Sequence, residues 1–181
     1  MSEELQLADP LAALGQVDMS DVDTSMPLLP AALHRVRIDD IQIVPSKKTP
    51  GGFNALIIFK TVDACRAHTE DGSEGQILEN WSLRSYYPMQ HNAKALEELE
   101  NGADKPTYNY LANFASLADA VQNLNPNDPA DRKLRNAFNP QDLLNVEVVA
   151  KVAVSEMKDD SGAGTGILSN DIKSLSHPVD A

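Results

Sequence analysis

The sequence predicts a mainly β domain with some helix: a five-stranded, strongly curved barrel with a helical insertion between strands three and four. Three observations carry this expectation. Residues 33–62, LHRVRIDDIQIVPSKKTPGGFNALIIFKTV, read as two strands joined by a turn. Residues 90–138 have helical spacing and composition. Two further strand-like runs follow, VEVVAKVAVS at 146–155 and ILSNDIKSL at 167–175.

In the first run, Val36 and Ile38 share one parity and Ile41 and Ile43 the other. One extra residue at Asp39-Asp40, a β-bulge, would produce that switch and bend the strand. The second run, Phe53 to Val62, is aromatic and β-branched and too short for a typical helix. Between them lies Pro45-Ser-Lys-Lys-Thr-Pro-Gly-Gly52, dense in turn residues and carrying Lys47 and Lys48. A bent strand, a basic loop and an apolar strand are how a small curved barrel begins.

Residues 63–76, DACRAHTEDGSEGQ, are polar with two turn signals and read as a long hairpin loop. Ile77 to Ser85 reads as the third strand, with Trp81 in it and Tyr86-Tyr87-Pro88 at its end. Asn92 to Glu100 has good helix formers and stops at Asn101-Gly102. Tyr108 to Leu124 sets Leu111, Phe114, Ala115, Leu117, Ala118 and Val121 on a helical stripe, which reads as core. Asn125-Pro-Asn-Asp-Pro129 ends it, and the basic run Arg132, Lys133, Arg135 follows. That run reads as a solvated face or, alternatively, as a phosphate contact. From 146 the alternation of Val146, Val148, Ala150, Val152 and Val154 is the clearest strand signal. Residues 156–166 read as a flexible loop before the last strand.

The domain is therefore expected over residues 31–176, with the insertion at about 90–140. A flexible acidic arm (1–30) precedes it and a short tail (177–181) follows. The arm reads either as disordered or as an acidic-apolar peptide that docks a partner or the chain's own basic groove. Strand order alone also fits a β-sandwich or roll with a helical insertion.

Charge bears on function. The chain carries −12 at pH 7, which counts against binding a phosphate backbone. Residues 1–32 contain six acids and no Lys or Arg, so half of that charge lies outside the expected fold. Residues 33–62 hold Arg35, Arg37, Lys47, Lys48 and Lys60 against Asp39 and Asp40, a local +3. A single cysteine, Cys65, excludes an internal disulfide and a multi-Cys zinc site. No apolar run nears the roughly 18 residues that span a bilayer, and the N-terminus lacks a basic n-region. A soluble cytoplasmic protein without cofactor or metal is expected.

The order strand, strand, strand, helices, strand, strand is the oligonucleotide/oligosaccharide-binding (OB) pattern. Short phrases add to it: IQIVPSKKTPGGF at 41–53, Asn80 to Pro88, Asp142-Leu-Leu-Asn-Val-Glu-Val148 and Asn170-Asp-Ile-Lys173. Their order and spacing over about residues 30–175 resemble small phage-encoded single-stranded DNA-binding proteins. The resemblance implies an OB fold, a role in phage DNA replication, recombination or repair, and the host bacterial cytoplasm. Two features depart from it. The chain ends SHPVDA rather than in an acidic partner-recruiting tail, and its acidic segment is N-terminal. The loop at 63–76 matches no family motif.

Sequence-independent binding of single-stranded DNA needs cations along a groove and flat rings for stacking. The candidate cations are Lys47, Lys48, Lys60, Arg84 and Lys151, then Arg35 and Arg37. The candidate rings are Tyr86, Tyr87 and Trp81, then Phe53. Against these stand plain structural roles: a solvated turn for the two loop lysines, and core packing for Trp81 and Phe53. Replication or recombination proteins are expected partners of the acidic arm, and self-association is compatible with the reading. The alternative is a virion or assembly protein that uses a β-barrel for protein contact. An enzyme is not expected: the four histidines are scattered, and HExxH, GxSxG and P-loop motifs are absent.

Overall fold

Alternating apolar residues pair into one antiparallel sheet in the computed structural model, which describes residues 26–69, 71, 73–135, 140–159 and 161–180. Strand β1 (Leu33–Pro45) pairs with β2 (Phe53–Thr61). The register runs from Val36↔Thr61 to Ile38↔Phe59, slips, and resumes at Asp40↔Ile58. Asp39 is the extra residue of the expected bulge. It lets Ile38 and Ile41 both face inward, opposite Phe59 and Ile57.

The third strand is not continuous. Cys65–Arg66 (β3) and Ile77–Leu78 (β4) pair with each other as a separate ribbon. The chain then turns at Asn80, whose φ of 50° is a left-handed conformation that asparagine tolerates. Ser82–Pro88 (β5) pairs with β2. The loop expected at 63–76 thus contains a hairpin, closed by Ala67 N–H donating to Gln76 O at 2.8 Å.

Helices α1 (Ala93–Glu100), α2 (Leu111–Gln122) and α3 (Pro129–Leu134) follow. Asn92 caps α1, accepting from Ala95 N–H, and Gly102 at φ 89° ends it as expected. In α2, Leu117 and Ala118 are buried while Leu111 lies outside the packed stripe. Asn123, at φ 53°, stops α2 before the Asn125-Pro126 signal. Arg135 grips Asp119 with two bonds of 2.6 Å and ties α3 to α2, which takes it out of the basic run.

Strands β6 (Glu147–Lys158) and β7 (Gly164–Ser176) are longer than expected. The turn between them shrinks to a few residues because the Asp159 carboxylate accepts from the Ser161 and Ala163 N–H groups, each at 2.9 Å.

The sheet order is β5-β2-β1-β6-β7. Only the first part of β1, Leu33 to Arg37, pairs with β6. The sheet does not close into the expected barrel: β5 and β7 approach each other without pairing. Helix α2 packs against both edges, with Phe114 against Tyr87 of β5 at 5.4 Å and the helix against β7. Side chains rather than ladder bonds fill that seam.

Val36, Ile38, Ile57, Phe59, Leu83, Leu117, Val148 and Ala150 form the core together with Leu29. Leu29 is fully buried. The ordered fold therefore begins before residue 31, because burying one leucine contributes about 1.5–3 kcal/mol. Leu28 O also accepts from His68 N–H at 2.6 Å, and Ala32 O from Val152 N–H at 2.9 Å. The rest of the expected arm, residues 1–25, lies outside the described residues.

Candidate nucleic-acid interface

Directly opposed residues on antiparallel strands share a face. Leu83, Ser85 and Tyr87 of β5 oppose Phe59, Ile57 and Ala55 of β2 and face the core. Ser82, Arg84, Tyr86 and Pro88 oppose Lys60, Ile58, Leu56 and Asn54 on the outer face. Asp40, Gln42 and Val44 of β1 continue that face.

The outer face carries the strongest cluster of predicted residues. Tyr86 is 55% exposed and Arg84 is exposed two residues before it. Leu56 and Ile58 floor the surface beneath them. At the end of the same strands stands the loop 46–52 with Lys47 and Lys48, both exposed. Neither these lysines nor Arg84 form an ion pair among the described residues. Phe53, half exposed, begins β2 at that end.

Other candidates are placed differently. Tyr87 points inward and is 6% exposed, because its neighbour Tyr86 takes the outer face. Burial pushes its phenol pKa up. Trp81 packs against the core, and its backbone N–H donates to Thr61 Oγ1 at 2.9 Å. Thr61 N–H returns a bond to Trp81 O at 3.0 Å, which pins the turn. The tyrosine pair thus offers one outward ring, and the tryptophan serves the fold.

Lys60 lies on the outer face but pairs with Asp39 of the bulge at 3.0 Å. Arg35 bonds Glu147 at 2.7 Å and has Asp63 at 4.0 Å. The Glu147 bond, then the two carboxylate charges, hold the Arg35 pKa above its ordinary value. Arg37 is half-buried and its Nε is enclosed without a partner among the described residues. Lys151 is exposed opposite Leu33 on β6, whereas Arg84 lies level with Asp40. Those β1 positions are seven residues apart, about 23 Å along the strand. Lys151 therefore does not join the cluster.

Sequence reasoning missed the neighbouring cleft of about 420 Å³ between the 46–52 loop and the segment after β5. Its walls include Thr49, Met89, His91, Leu96 and Tyr110. The His91 and Tyr110 rings meet edge to face at 4.8 Å. Gln90 fastens the loop by accepting from Phe53 N–H at 3.0 Å, and Met89 N–H donates to Phe53 O at 3.0 Å. These residues come from three separate segments, and only the fold brings them together.

Among the described residues no group of three or more His, Cys, Asp or Glu could hold a metal ion. None of their helices is long and apolar enough to cross a membrane. Compared with protein-family models and with curated protein sequences, the chain matches none.

Proposed function

We propose that this chain binds single-stranded DNA without regard to sequence, on the outer face of β2 and β5. In this reading the curled sheet is an OB-type barrel left partly open, with the helices inserted between its third and fourth long strands. The single observation that carries the reading is Tyr86. It is an exposed ring, flanked on its own strand by Arg84, which forms no ion pair among the described residues, over an apolar floor and in line with the Lys47-Lys48 loop. A ring stacks on any base, and the cations follow the backbone. The role is coating single strands in phage DNA replication, recombination or repair. The acidic residues before Met26 recruit replication or recombination proteins or contact the face itself.

A fluorescent oligo-dT titration at two salt concentrations tests this. Binding that weakens steeply with salt supports it; no binding at low salt removes it. A protein-contact role in a virion or assembly is the second reading. It is favoured by Leu33, Ile77 and Ile167, which lie off the cluster and are each 60–62% exposed. The same titration separates the two.

A further inference from the structure

We infer that the cleft beside the 46–52 loop is a second base-binding position, taking one nucleotide of the strand that stacks on Tyr86. This rests on the single-stranded DNA reading above and extends it to a second site.

Size fits first. The cleft measures about 420 Å³, inside the roughly 300–1,000 Å³ range of small-molecule sites. Its walls are mixed in the way a base requires. Met89 and Leu96 supply apolar surface, and the His91–Tyr110 pair supplies aromatic surface. None of the lining residues is acidic. Thr49 and Gly51 come from the loop that carries Lys47 and Lys48, so one wall of the cleft belongs to a basic loop. An anionic ligand with a flat apolar face complements that arrangement.

The path also fits. Tyr86 lies three residues before Met89 on the same chain segment, about 10 Å in extended backbone. A few nucleotides cover that distance. The strand would pass from Tyr86, along Pro88 and the loop lysines, into the cleft.

The test uses the full-length protein and an oligo-dT eight-mer. Methyl-labelled methionine gives five signals, and Met89→Leu identifies the one at the cleft. Expected are a shift of the Met89 signal on adding the oligomer and weaker binding in two variants. Tyr110→Ala removes a ring and lowers affinity about 5- to 150-fold, the range for loss of one stacked base. Leu96→Trp fills the cleft from an exposed position and weakens binding without removing a buried group. If the eight-mer binds the wild type but the Met89 signal stays in place, the inference is overturned. Unchanged affinity in both variants overturns it equally, and leaves Tyr86 binding standing. If the eight-mer does not bind at all, this inference falls together with the proposed function.

Discussion

The side-chain amide of Asn170 holds the backbone of Leu29 from both sides. Its Oδ1 accepts from the Leu29 N–H at 2.8 Å, and its Nδ2 donates to the Leu29 carbonyl at 2.8 Å. The two residues are 141 positions apart. Strand β7 thereby fixes the segment that plugs the core with a fully buried leucine. The segment needs this partner because it lies outside the sheet ladder, and enclosed backbone groups must still be paired.

Asn170→Ala should therefore destabilise by about 2–4 kcal/mol, since each unsatisfied buried group costs roughly 1–3 kcal/mol. Urea unfolding measures it. Asn170→Asp keeps the acceptor but sets a carboxylate against the Leu29 carbonyl, and should recover little. A loss below about 0.5 kcal/mol for the alanine variant would show that the clamp is dispensable.

The adjacent tyrosines should separate binding from stability. Tyr86→Ala is expected to cost about 1–3 kcal/mol in oligo-dT binding, with stability changed by less than about 0.5 kcal/mol. Tyr87→Ala empties a packed site against Phe114, and should cost about 3–5 kcal/mol in stability, as for other large aromatic truncations. Equal effects of the two on binding would place the ligand elsewhere.

Lys47→Ala combined with Lys48→Ala should lower the salt slope of oligo-dT binding by up to about 1.4, at roughly 0.7 per phosphate contact on a single strand. Affinity measured from low to moderate salt gives the slope. An unchanged slope takes the loop out of the interface.

Tyr87 also sets a pH dependence. Burial raises its pKa in the folded state, while the unfolded phenol titrates near about 10. The folded state then holds the proton more tightly. Its contribution is complete below the unfolded pKa and is lost as pH rises through the folded pKa. Stability should fall above about pH 10, and Tyr87→Phe should flatten that fall. Cys65, raised by burial as well, adds a loss that starts at lower pH and persists in the Phe variant.

Gly75 closes the β3–β4 ribbon. A Cβ there would stand 2.2 Å from the Ala67 carbonyl oxygen, a backbone atom that cannot swing aside. Gly75→Ala should open the ribbon and speed hydrogen exchange at Ala67 N–H, which donates to Gln76. Retained protection would contradict this.

The local pattern of residues determined the local structure. Val-rich alternation marked β6, the parity switch at Asp39-Asp40 marked the bulge, and Asn101-Gly102 marked the end of α1. Such signals depend on neighbours one to four positions away, where backbone geometry alone sets which side chains align. Tertiary structure decided what depends on distant partners. Leu29 became core because Asn170 was there to pair its backbone, and β3 and β4 formed because each found the other. Lys60 and Arg35 are spent on Asp39 and Glu147, and of two adjacent tyrosines one is outward and one sealed. A list of cations and rings can be read from the chain. Which of them still face solvent, unpaired and on one surface, follows from packing between segments that the sequence keeps far apart.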